Sequence, residues 1–332
     1  MKKRAEHPRV NEHRKAAKQD GERLPRFRPE QLHVVTVYSN PVRWKTRRRA
    51  HMEFEEHMLD SGVALTTVEV ALGRRPFNLP DSRHINRVRL RQDGMIWNKE
   101  AALNVGINRI AESAKYIGWF DADIEFRRED WARESVHALQ QYAVIQPWSH
   151  AYDLGPRGEH MNVHVSFCHQ FWHGLPVGPN HKPYNFAHPG YAWCATRHTL
   201  HGLGGLLDVG VLGSGDHHMA MALVGQAEAS LPKGLCASYR RIVLEWQKRA
   251  EEVVKRNLGF VEGTIEHAWH GKKADRKYVS RWKLLVDHKF DPDRDIRRNA
   301  WGLWELNDGK PDFKRATDRY FKQRFEDSNY NG

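Results

Sequence analysis

Cysteine is scarce: Cys168, Cys194 and Cys236 are the three in 332 residues, they stand far apart, and none belongs to a C-x-x-C pair. A disulfide framework is therefore not expected, and reduced, structural thiols fit a cytosolic protein. Long apolar runs are missing too, since no stretch approaches the ~18 residues of a membrane span. The N-terminus, MKKRAEHPRVNEHRKAAKQDGERLPRFRP, is basic but has no apolar core, which argues against a secretory leader. No internal repeat or low-complexity tract is visible. Acids are in deficit: 41 Asp and Glu face 53 Lys and Arg, a formal net charge of +12. Such a surface attracts polyanions. The excess sits in the first 30 residues and in RWKTRRR (43–49), both candidates for a nucleic-acid backbone or another acidic partner. The run at 240–256 is balanced by acids and reads as a solvated helix face. With 40% hydrophobic residues, 12 Trp and 13 Phe, the chain can build a proper core, which excludes a disordered protein.

The pattern along the chain is that of an α/β protein. LHVVTVY (32–38) reads as a strand. Asn40 is suited to cap, and Pro41 to begin, a helix carrying Trp44, Phe54 and Met58 and closed by Gly62. VALTTVEVAL (63–72) is a second strand. A basic stretch, 73–95, leads to a helix starting near Asn98 with Ala101, Ala102, Leu103, Val105, Ile110 and Ala111 on its buried side. YIGWF (116–120) follows as a buried strand, then a helix at 129–140 and the strand YAVIQPW. Residues 149–190 show no period, and so long an irregular segment inside a domain suggests function. YAWCATR (191–197) is a strand. Further on lie helices after GSGD, from Ser238, after a capping Asp275, and in DRYFKQRFED.

One strand ends in chemistry. YIGWF runs straight into Asp121-Ala122-Asp123, and residues i and i+2 of an extended segment share a face. Two carboxylates are thus delivered at the carboxyl end of a strand, where open α/β sheets bind ligands. A loop Asp-x-Asp of no consequence is the competing reading. Asp216 precedes an apolar, helix-like run and is a good N-cap on sequence grounds. HAWHG (267–271) adds two imidazoles. In an extended segment His267 and His270 would point to opposite faces, so at most one of them could face a given ligand.

WNKEAALNVGI (97–107), WFDADIEF (119–126), LGSGDHHMAMAL (212–223) and HAWHG, in that order, resemble the GT-A glycosyltransferases, including phage-type members of that superfamily. The resemblance spans roughly residues 32–290. It implies a Rossmann-like nucleotide-sugar transferase fold, a central mixed sheet flanked by helices. Residues 1–30 would be a basic arm, 31–290 the GT-A domain and 291–332 a C-terminal helical extension. It further implies Mn²⁺ or Mg²⁺ and a UDP-sugar donor. Asp123 would bind the metal directly, Asp121 the ribose or metal-bound water, and His270, in preference to His267, would be the third ligand. Asp216 would be the general base of an inverting reaction, with no alternative base alongside. Asn98 and Lys99 would contact nucleotide or diphosphate, and Tyr38, Asn40 and Arg43 would line the base pocket. Gly190 would pass beside the donor sugar, while Arg276 and Arg281 could reach phosphates.

The acceptor is then the open question. The absence of leader and anchor and the excess of cations favour a cytosolic polyanion, in the host cytoplasm if the chain is phage-encoded. A hydroxymethylated pyrimidine in DNA satisfies this, with Trp148, Phe171, Trp172 or Trp193 stacking on a flipped base. A saccharide or protein acceptor is the alternative. Two other classes compete: a nucleic-acid-binding protein on an inactive GT-A scaffold, and a metal-dependent nuclease. Consumption of a nucleotide-sugar separates the first reading from both.

Overall fold

The computed structural model describes residues 31–178, 187–271, 280–324 and 326–327. Its centre is a seven-stranded mixed sheet in the order β10-β6-β9-β4-β1-β2-β3. These strands are β1 (Leu32–Ser39), β2 (Ala64–Leu72), β3 (Ile85–Gln92), β4 (Tyr116–Phe120), β6 (Val144–Gln146), β9 (Ala192–Thr196) and β10 (Leu258–Phe260). The run β4-β1-β2-β3 is parallel, β9 is antiparallel to both β4 and β6, and β10 runs parallel to β6. Neighbouring residues in β1 point to opposite faces, and both faces are covered: Val34 and Val35 are each fully buried, in different core clusters. Val34 joins Phe54 and Met58 of α1 (Lys45–Asp60) and Trp131 of α3 (Trp131–Ala138). Val35 joins Leu103 of α2 (Lys99–Asn108), Met221 of α6 (Gly215–Leu223) and Trp246 of α7 (Ala237–Val253). Helices on both faces are what a largely parallel sheet requires.

The described residues of the segment 149–190 hold more regular structure than the sequence suggests. It supplies β7 (His150–Leu154), β8 (His160–Val165) and α4 (Phe167–Trp172), and β9 then leads into α5 (Arg197–Leu203). With β5 (Ile124–Phe126) and β11 (Thr264–His267), β7 and β8 form a second sheet, ordered β5-β11-β7-β8. Trp148 and Trp193 are core residues, 0% and 5% exposed, so they are not placed to stack on a base; Trp172 is 55% exposed. The basic stretch 73–95 contains β3, unexpected because its alternate positions carry Arg87, Arg89 and Arg91. Those side chains are partnered: Arg87 forks onto Glu55, Arg89 bonds Asp81, and Arg89 and Arg91 lie 5.3 and 4.5 Å from the Phe77 ring.

After α8 (Ser280–Asp287) and the short α9 (Pro292–Asp295), a hairpin of β12 (Ile296–Arg298) and β13 (Trp304–Leu306) leads to α10 (Pro311–Lys322). Residues 291–327 therefore hold strands as well as helices, and Leu303, Phe313, Tyr320 and Phe321 pack into the main core. The segment also finishes α1. That helix begins at Lys45, not beside Asn40, whose side chain instead bonds the backbone N–H and C=O of Trp44. The carboxylate of Asp327 accepts from the Lys45 and Thr46 N–H groups at 2.9 Å each, occupying donors that a helix start leaves open. Beside it, Glu326 pairs with Arg47 at 2.6 Å. Likewise Cys236, not Ser238, occupies the N-cap of α7. Asp275 lies outside the described residues. Among those residues no helix is long and apolar enough to cross a membrane.

Two imidazoles tie folding to pH. Burial pushes His33 and His57 down to about 4 each. His57 Nε2 accepts the Phe126 N–H at 2.9 Å, which requires a neutral ring. Below the ordinary histidine pKa the unfolded chain takes up protons that the folded chain refuses, so stability falls as pH drops from about 6.5 towards 4. Urea denaturation across that window should show a loss on the order of several kcal/mol. The His57→Gln variant, which removes the titrating ring, should lose less.

Candidate functional site

The site gathers at the carboxyl end of β4. There the Asp121 N–H donates to the Tyr191 carbonyl at 2.7 Å, tying the strand tip to the chain entering β9. Tyr191 holds a φ of 72°, a left-handed conformation that a bulky residue adopts only under constraint. Its ring stacks on His188 at 4.2 Å, and its hydroxyl donates to Asp153 at 3.0 Å.

Asp123 and the two histidines of HAWHG converge, although only one imidazole was expected to. β5 pairs with β11 so that His267 stands opposite Ile124, and the Ala268 N–H donates to the Asp123 carbonyl at 2.7 Å. β11 stops at His267, and the chain then turns back and brings His270 to the same point, Gly271 following with a φ of 90°. Nε2 of His270 lies 3.2 Å, and Nε2 of His267 3.6 Å, from Asp123 Oδ2; the two Nε2 atoms are 2.9 Å apart. Atoms about 2.2 Å from one ion and at right angles to each other stand roughly 3.1 Å apart, so the triangle fits one face of a cation's coordination shell. Both histidines are buried, and all three ligand atoms lie within 4.8 Å of one another.

The chain also fixes the tautomer of His267. Buried Asp153 on β7 accepts from its Nδ1 at 2.8 Å and engages His164 Nε2 of β8 through its other oxygen at 2.7 Å. A carboxylate on Nδ1 leaves Nε2 as the coordinating atom, the usual support behind a metal-bound histidine. Asp153 and His164 were not among the expected site residues; they sit in the segment that showed no period.

A second group adjoins the first. Lys99, at the start of α2, reaches Asp121 at 2.5 Å. Asp121 is thus paired with a lysine rather than grouped with Asp123 among the candidate ligands. Burial opposes the charge on Lys99, yet Asp121, Glu100 and Asp216 together raise its pKa. Asp216 is not the N-cap of α6; Ser214 holds that position, with a φ of 74°, and Asp216 lies in the first turn. Its Oδ1 accepts from the His217 N–H at 2.8 Å, and its Oδ2 faces Gly190, whose added Cβ would lie 3.3 Å away.

The remaining expected residues are placed as follows. Tyr38 and Asn40 are buried and bonded to each other at 3.1 Å. Arg43 is exposed, at a φ of 66°, on a concavity shared with Arg75 and Lys322. Asn98 is buried and pinned to the Trp304 backbone through both ends of its amide. Arg281 bonds Ser214 at the start of α6, and Arg276 lies outside the described residues. A wide groove of about 1370 Å³ between Asn104, Arg197, His201 and Trp246 includes none of the acids or histidines above.

No family model matches the chain, and no curated protein does. Among solved structures it is similar to the catalytic domain of Drosophila beta1,4galactosyltransferase 7 in complex with xylobiose, at 12% identity over 85% of this chain and 96% of that one, with a TM-score of 0.38. It is similar to S. aureus TarS 1-349 at 9% identity over 91% and 92%, TM-score 0.33. A third similarity is to GalNAc-T7 with UDP, GalNAc and Mn²⁺, at 11% identity over 90% of this chain and 55% of that one, TM-score 0.40.

Proposed function

We propose that this protein is a metal-dependent, inverting glycosyltransferase of the GT-A type. It would move a hexose from a UDP-sugar, UDP-glucose or a relative, to the hydroxyl of a 5-hydroxymethylpyrimidine base in DNA. The observation that carries the reading is the convergence of Asp123, His267 and His270 at the carboxyl end of a β-strand, in a sheet flanked by helices.

Asp123, His267 and His270 would hold a divalent cation, which would supply countercharge to a diphosphate leaving group. Two imidazoles beside one carboxylate favour Mn²⁺ over Mg²⁺, which prefers oxygen and water. The chain's own groups do the rest. Lys99 adds positive charge next to the ligand cluster. With Oδ1 of Asp216 occupied by the His217 N–H, Oδ2 is the atom available as base. As the acceptor oxygen bonds to the anomeric carbon, its proton passes to that oxygen of Asp216. The electron pair of the broken C–O bond leaves with the diphosphate, and attack opposite the leaving group inverts the centre. The net charge of +12 and the exposed Arg43, Arg48, Arg49, Arg74 and Arg75 support a nucleic-acid acceptor, and exposed Trp172 is available to stack on a flipped base.

Intact-mass measurement tests the proposal. Oligonucleotides bearing 5-hydroxymethylcytosine, 5-hydroxymethyluracil or ordinary bases are incubated with UDP-sugars and Mn²⁺, with and without EDTA. A hexose-sized gain on a modified base, lost with EDTA, is expected. UDP release without gain on DNA would move the acceptor to saccharides or proteins, and a shortened oligonucleotide would replace the transferase by a nuclease.

A further inference from the structure

Glu100 is a buried acid beside the candidate site that the proposed mechanism leaves without a part. It is 3% exposed, next to Lys99 on α2, and lies under the first turn of α6. A Cβ added at Gly215 would sit 2.7 Å from its Cδ and 2.8 Å from its Oε1. Any side chain at 215 would therefore expel Glu100; glycine there lets α6 close over the carboxyl. Its neighbour in the chain is Asp216, whose other flank is bounded by Gly190. A second acid thus lies alongside the candidate base, delivered from a different helix.

The charges around it do not balance if every group is ionised. Lys99 from α2, Asp121 from the end of β4 and Asp216 from α6 all act on Glu100. Tyr239 of α7 faces the same space, its hydroxyl 3.3 Å from His218 Nε2, and Arg281 of α8 approaches from the Ser214 side. Of the three carboxyls, Asp121 has the ammonium of Lys99 at 2.5 Å and Asp216 has a backbone N–H at 2.8 Å. Glu100 is the most buried of them. Like charges in one desolvated site cannot all ionise, and the deepest member keeps its proton.

We infer that Glu100 is a positioning residue that stays neutral beside Asp216, leaving Asp216 the ionised member of an acid pair; the inference rests on the transferase reading for what the pair does. Burial, reinforced by Asp216, pushes Glu100 up to about 7 even though Lys99 pulls it down. A carboxyl held neutral by its surroundings cannot take up a proton as base, which leaves that part to its neighbour. Glu100 takes no part in the bonds that form and break. Its ionisation above neutrality instead adds a negative charge beside Lys99 and Asp121, next to the proposed diphosphate site, so the donor KM rises with pH while kcat changes little.

Two measurements test this. In the first, the donor KM of the wild type should rise about tenfold between pH 6 and pH 9, the effect of one nearby like charge, and in Glu100→Gln it should be flat. An unchanged pH dependence in E100Q overturns the inference. The second needs neither donor nor acceptor. In protein labelled with ¹³C at the glutamate carboxyls, one resonance should titrate near pH 7 and be missing from E100Q, or from E100D if the glutamine variant does not fold. Absence of that resonance overturns the neutral acid even in an active enzyme. Its presence in a protein that transfers from no UDP-sugar would keep the acid pair and remove the transferase reading.

Discussion

Replacing Asp123 by alanine is expected to abolish tight Mn²⁺ binding and to lower sugar transfer by ~10³-fold or more. The size follows from what is lost. Asp123 is the one carboxylate among the three converging ligands, and it stands 3.2 and 3.6 Å from the two imidazoles. Without it a pair of neutral rings remains, which offers no countercharge to a divalent ion. Asp123→Asn keeps an oxygen but removes the charge, so it should fall between the wild type and the alanine variant. Calorimetric titration with MnCl₂ reads the binding directly, and initial rates of UDP release read the chemistry. Wild-type Mn²⁺ affinity in the alanine variant would remove Asp123 from the site altogether. Retained binding with lost transfer would instead give it a role in the reaction but not in holding the ion.

Asp216→Asn should show the opposite division. Loss of a general base costs typically 10² to 10⁴ in rate, and the expected fall is ~10³-fold in kcat with no loss of donor affinity. The isostere is chosen for the fold: an asparagine Oδ1 can still accept the His217 N–H that Asp216 now accepts at 2.8 Å, so the first turn of α6 should survive. An effect confined to kcat marks an interaction made only as the acceptor is attacked. Should the variant lose donor binding instead and keep kcat, Asp216 would be a donor contact and the base would have to be sought elsewhere.

Much of this arrangement could be read from residue order. β1, β2 and β4 are β-branched or aromatic runs with little polar interruption, and the boundaries fell within a residue or two. Helix α2 was marked by its apolar side. β3 was hidden because its alternate positions are arginines whose partners, Glu55, Asp81 and the Phe77 ring, come from other parts of the chain. The convergence of His267 and His270 could not be read from spacing, since it depends on where β11 stops and the chain turns. Asp153, His164 and Glu100 were invisible for a related reason. Each is one acid or imidazole among many, and only packing against His267 or Gly215 singles it out. The start of α1 was misplaced because its capping carboxylate, Asp327, is separated from Thr46 by 281 positions.

That separation has a meaning during synthesis. At roughly 5–20 residues per second a ribosome would need on the order of 14 to 56 s to travel from Thr46 to Asp327. Until then α1 has open N–H groups at its start, and Arg47 lacks the Glu326 carboxylate with which it pairs. Strands β1 and β2 can pair while it waits, but α1 is sealed only by a segment made 281 positions later. The order of manufacture and the order of completion are therefore reversed at this corner of the molecule.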